Sequence, residues 1–94
     1  MRWELDRAAG LADTRAALYE ALAQKADAIA LTEEMSAAVH ENAAKYLPGA
    51  SEHAARARRF AAAERDAAAA YREHRVPSDD VRQIIRDIGR SIPT

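Results

Sequence analysis

The first half of the chain carries its large apolar residues on a helical stripe. Leu11, Leu18, Leu22 and Ile29 lie on one line, and Met35, Val39 and Tyr46 continue it, displaced around the helix. This spacing predicts one long helix over residues 12–46. A stripe drifting in this sense has a period nearer 3.5 than 3.6, which favours left-handed supercoiled packing against a long partner. At about 1.5 Å per residue the helix would be roughly 50 Å long. Asp13 or Thr14 can cap its start. Residues 3 to 9 read as a short helical extension, with Gly10 bending or breaking it.

Two breaks follow, at Pro48-Gly49 and at Pro77-Ser78, each combining a helix terminator with turn chemistry. Between them a second helix is expected over residues 51–75, with Ser51 as its N-cap. Its apolar face is poor in bulk: Ala57, Phe60, Ala67, Ala68 and Tyr71, flanked by Ala50, Ala54 and Ala61. A third helix is expected over residues 79–92. Ser78 caps it, and Asp79 and Asp80 suit the positive end of its dipole. Val81, Ile84, Ile85, Ile88 and Ile92 follow at helical spacing, Arg86 and Arg90 sit toward the C-terminal end, and Pro93 stops it. This helix should plug one end of the hairpin or provide a dimer contact. No segment alternates like a strand.

Composition explains the thin second face. Alanine supplies 25 of the 94 residues, and Arg outnumbers Lys twelve to two, a pairing that suggests a GC-rich bacterial genome. Alanine forms helix readily and buries little apolar surface. A monomer of this length buries only roughly 60–65% of its unfolded surface, so a dimer or a larger complex is expected. Charge is uneven: residues 1–49 carry eight acids and five bases, and residues 50–75 four acids and six bases. An acidic first helix against a basic second favours antiparallel pairing. The net charge of −1 offers no strong field for nucleic acid or membrane. Without cysteine there is no disulfide, thiolate metal site or thiol nucleophile. No apolar run approaches a membrane span and no signal-peptide pattern is present. A cytoplasmic protein is therefore expected, with export by a signal-independent route left open.

Candidate chemistry is sparse. Lys25 falls inside the Leu18–Leu22–Ile29 stripe, either holding an anion or, more commonly, packing its stem with its ammonium in water. Glu64 lies among Ala57, Phe60, Ala61, Ala68 and Tyr71. Folding at Pro48-Gly49 sets it near the level of Glu33, where two carboxylates could hold a metal or share a proton. The commoner outcome is a carboxylate turned outward or matched by bases on another chain. His40, His53 and His74 read as surface or helix-end residues. The Glu-x-x-His pairs of di-iron bundles are missing after Glu33, Glu34, Glu41 and Glu64, so no metal or cofactor is expected. The basic run His53–Arg59 spreads around its helix with Phe60 the one aromatic nearby, which argues against a nucleic-acid platform.

The long–medium–short helix order resembles the small all-helical chorismate mutases. The stretch Val76-Pro-Ser-Asp-Asp-Val-Arg-Gln-Ile-Ile-Arg-Asp-Ile is similar to that family's last helix, and Lys25 could stand where it has a mid-helix arginine. The next base that family requires falls near Ser36 or Val39, and its late glutamine has no counterpart. Length, central turn and alanine-rich helices also resemble the hairpins exported by type VII secretion. Their Trp-x-Gly turn is here Leu47-Pro48-Gly49, and Arg75 stands four residues after Tyr71 in place of their acid. Neither likeness carries an active site across.

The expectation is an all-α chain: a long antiparallel hairpin with a short third helix, assembling into a bundle with itself or another protein. Leu22, Ile29, Met35, Val39, Phe60, Tyr71, Ile84 and Ile88 would supply its packing or contact surface. The alternative is a small helical enzyme or anion binder, with Arg15, Lys25 or Arg72 holding the anion and Glu64 acting as acid or base.

Overall fold

The computed structural model describes residues 2–91, with the side chains of residues 90 and 91 outside the description. Those residues form three helices, α1 (Arg2–Ala43), α2 (Ala50–Arg72) and α3 (Asp79–Ser91), and no strand. α1 packs along α2 in an antiparallel hairpin. Ala23 and Ala26 meet Ala68 at one level, and Ala37 meets Ala54 and Ala57 at another. α3 packs on α2 and, among the described residues, not on α1. It therefore flanks the hairpin rather than plugging its end. Ile92 and Pro93 lie outside the described residues.

α1 begins ten residues earlier than its apolar stripe suggests and runs unbroken through Gly10. A single glycine costs about 1 kcal/mol in a helix, and the surrounding Ala8, Ala9, Leu11 and Ala12 are strong helix formers. Thr14 does not cap: its hydroxyl donates back to the Gly10 carbonyl at 2.9 Å, as mid-helix threonines do. At about 1.5 Å per residue α1 reaches roughly 63 Å and α2 roughly 35 Å, so the first turns of α1 project beyond the hairpin. The molecule measures 69 × 22 × 22 Å.

The helix ends follow backbone geometry more than side-chain caps. α1 closes at Ala43, whose carbonyl accepts from the Tyr46 and Leu47 amides, both at 2.9 Å. α2 is capped by Gly49 and not by Ser51. Gly49 sits at φ 84° without a side-chain hydrogen bond, a conformation that costs other residues about 1–2 kcal/mol. α2 stops three residues short of Arg75 in a Schellman motif. The His74 amide donates to the Tyr71 carbonyl at 2.9 Å and the Arg75 amide to that of Ala70 at 3.0 Å. His74 takes the left-handed position, at φ 56°, where glycine is usual. α3 starts as expected, with the Val81 amide on Ser78 Oγ at 3.2 Å.

The core is almost entirely alanine. Ala23, Ala26, Ala30 and Ala37 of α1 are buried, with Ala50, Ala54, Ala57, Ala61, Ala63, Ala67, Ala68 and Ala70 of α2. Phe60 and Ile88 are the large side chains that join them. Tyr71, Val81, Ile84 and Ile85 are half-buried. The stripe of α1 does not enter this core: Leu18, Met35 and Val39 are 61%, 63% and 66% exposed. The physical reason is register. Ala16, Ala23, Ala30 and Ala37 recur every seven residues on α1, as do Ala54, Ala61 and Ala68 on α2. These two small columns let the helix axes approach closely, and the leucine stripe then lies to one side of the seam.

Two substitutions test this arrangement by thermal unfolding. Ala30→Leu forces bulk into a position with no exposure and should cost about 1–3 kcal/mol. Gly49→Ala should cost about 1 kcal/mol. Each kcal/mol lowers Tm by about 4–8 °C in a chain of this size.

Candidate functional site

Ion pairs lace one edge of the hairpin. Arg58 Nε meets Glu41 at 2.6 Å, Arg65 meets Asp27 at 3.2 Å and also Glu34, and Arg72 meets Asp27 at 2.6 Å and Glu20 at 3.6 Å. The acids at 20, 27, 34 and 41 and the bases at 58, 65 and 72 each recur every seven residues. The charge imbalance pointed to this pairing, and the seven-residue spacing was the signal that would have named the partners. Hydrogen bonding to Arg58 holds the Glu41 carboxyl below the usual range. These groups are exposed or half-buried, so each pair contributes little on its own. Their collective effect is register.

Lys25 and Glu64 occupy a different side. Glu64 is 6% exposed, and among the described residues no side-chain oxygen is both fully buried and unpartnered, so its carboxylate reaches the solvent edge of the seam. It falls in the same seven-residue column of α2 as Ala57 and Tyr71, which places it against α1. Burial pushes its carboxyl above the ordinary range, and the Lys25 ammonium pulls it partway back. Glu33, half-buried on α1, is not the charge it responds to. No hydrogen bond or ion pair joins Glu64 to another described residue. Lys25 itself is exposed, beside a shallow depression lined by Ala28, Ile29, Thr32 and Glu33.

The other candidates are dispersed. Arg15 sits 5.7 Å from the centre of the Tyr19 ring, and His74 stacks on that ring at 5.0 Å. An open groove beside them is lined by Leu11, Ala12, Asp13, Arg15, Ala16 and His74. Arg72 is engaged by Asp27 and Glu20 on the laced edge. Near the turn, the His40 and His53 rings lie 5.4 Å apart, and His40 Nδ1 bonds the Ser36 carbonyl at 2.8 Å. Among the described residues no three His, Cys, Asp or Glu side chains could hold a metal ion together. The four residues of the anion-binder alternative thus divide into one pair, Lys25 with Glu64, and two arginines engaged elsewhere.

No protein-family model matches this chain, nor does any curated protein or solved structure. Among the described residues no helix is long and apolar enough to cross a membrane.

Most of the remaining large apolar side chains of α1 are exposed, Leu31 at 55% among them. Trp3, Leu5, Leu11, Leu18, Leu22, Met35 and Val39 are exposed along α1, and Ile29 is half-buried at the stripe's centre. α1 thus turns alanine toward α2 and its larger residues toward solvent.

The strained acid gives a pH-dependent prediction. The folded chain keeps the Glu64 proton to higher pH than the unfolded chain, so stability falls as pH rises through that window and stays lower above it. Glu64→Gln should therefore raise Tm by a few degrees near pH 7, and the gain should vanish near pH 4. Thermal melts of protein dilute enough to exclude association provide the check.

Proposed function

We propose that the chain is a protein–protein interaction or assembly module that works through the outer face of α1. One observation carries this reading: the residues that α1 buries are all alanine, Ala23, Ala26, Ala30 and Ala37, and its larger residues lie outside. Soluble monomers expose single leucines routinely, but a contiguous apolar patch usually marks an interaction site. Here exposed or half-buried large residues recur along one flank of α1 at Leu11, Leu18, Leu22, Ile29 and Val39, interleaved with Arg15, Lys25, Thr32 and Ser36. The projecting first turns of α1 support the same reading. A helix of that length has little stability without tertiary contacts, and Trp3 and Leu5 would gain burial from a partner.

The anion-binder alternative has less support. It needs Arg15 or Arg72 beside Lys25 and Glu64, whereas Arg72 is engaged by acids and Arg15 lies against Tyr19. The depression by Lys25 is open and shallow.

A photo-activatable residue placed at Leu22 in the native host tests the interaction reading. The expected result is a discrete cross-linked product, absent when the same residue replaces the ion-paired Arg58 on the opposite edge. Irradiation that yields only the free chain at both positions would sink the proposal.

A further inference from the structure

Resting on that reading, we infer that the occupant of the outer α1 stripe is a second copy of this chain. The two copies pair α1 against α1 through Leu18, Leu22, Ile29 and Val39, with each Lys25 drawn onto the Glu64 of its own chain. Three observations support a second copy.

The first is spacing. Leu18, Leu22, Lys25, Ile29 and Thr32 alternate by four and three residues, and Leu11 and Val39 extend the series at multiples of seven. This is the repeat of a two-helix coiled-coil seam; Leu11, Leu18, Leu22, Ile29 and Val39 supply its apolar positions and Arg15, Lys25, Thr32 and Ser36 its polar ones, and polar seam residues specify register at a cost in stability. Exposed Ala21 and Ala28 lie beside Leu22 and Ile29, so two copies can set large residues over small ones.

The second is area. A compact monomer of 10.3 kDa exposes about 5,400 Å², whereas this chain exposes 6969 Å². The excess of roughly 1,600 Å² per chain is about twice the 800 Å² that each partner contributes to a standard interface. A self-pairing along α1 fits within it.

The third is charge. An identical stripe brings a second lysine and no acid, so self-pairing requires Lys25 to be neutralised within its own chain. The chain already carries the neutralising group. Glu64 is nearly buried and forms no ion pair with a described residue, while Lys25 is the charge it senses. Covering the stripe strips water from the Lys25 ammonium and turns it onto Glu64, so each copy enters the seam with its charge matched internally. The net charge of −1 leaves two copies little mutual repulsion.

Sedimentation equilibrium on the full chain, from about 1 to 100 µM, tests the assignment. The expected mass is twice 10.3 kDa. Leu22→Asp and Ile29→Asp should each weaken association about 100-fold or more while circular dichroism stays helical. Replacing the internal ion match with apolar and neutral groups, Lys25→Leu with Glu64→Gln, should tighten association by about tenfold; on a solvent-facing surface it would change nothing. A monomer at every concentration overturns self-pairing, as does a dimer indifferent to both aspartates. The cross-linking experiment separates the two proposals. A Leu22 product containing only this chain supports self-pairing. A product containing a different protein keeps the interaction module and overturns the self-pairing.

Discussion

Close approach of α1 and α2 along an alanine seam is the constraint on which the rest of this structure depends. Alanine columns spaced by seven residues admit neighbouring backbones and exclude larger side chains from the contact. Dispersion and area burial per residue are small in such a seam, so many short contacts replace a few large ones. The ion pairs at the laced edge then matter for direction more than for strength. Acids on α1 and bases on α2 share the alanine periodicity, and a slip of the hairpin would break all of them together.

The seam also decides where function must be sought. With alanine inside, the leucines, isoleucine, methionine and valine of α1 have no place in the hairpin and line its flank. Glu64 is the exception within the seam's own columns, a carboxylate where the neighbouring positions are Ala57 and Tyr71. Its raised affinity for a proton reflects burial without a direct partner, and Lys25 stands at the border between it and the apolar stripe. The carboxyl that burial pushes upward and the exposed apolar flank of α1 therefore adjoin through Lys25.

Much of this was legible in the residues. The three helices, the breaks at Pro48-Gly49 and Pro77, the Ser78 cap and the antiparallel pairing of acidic with basic helix all follow from local chemistry. The start of α1 was not legible, because Gly10 reads as a breaker and only the flanking alanines make its cost tolerable. Nor was the Gly49 cap, which depends on a left-handed backbone angle that no side chain announces. Of the candidate anion site, the neighbourhood of Lys25 and Glu64 was readable as a possibility, and the engagement of Arg72 by Asp27 was hidden in a seven-residue spacing.

The sequence by itself determined that the chain is helical, where it turns and which helix faces carry bulk, because propensity, turn residues and periodicity are local properties. Only the tertiary structure decided which face of α1 would be buried. Both its leucine stripe and its alanine column have the period of a packed seam. The alanine column of α2 selects between them, since the closest approach of two helices is available only where both are small.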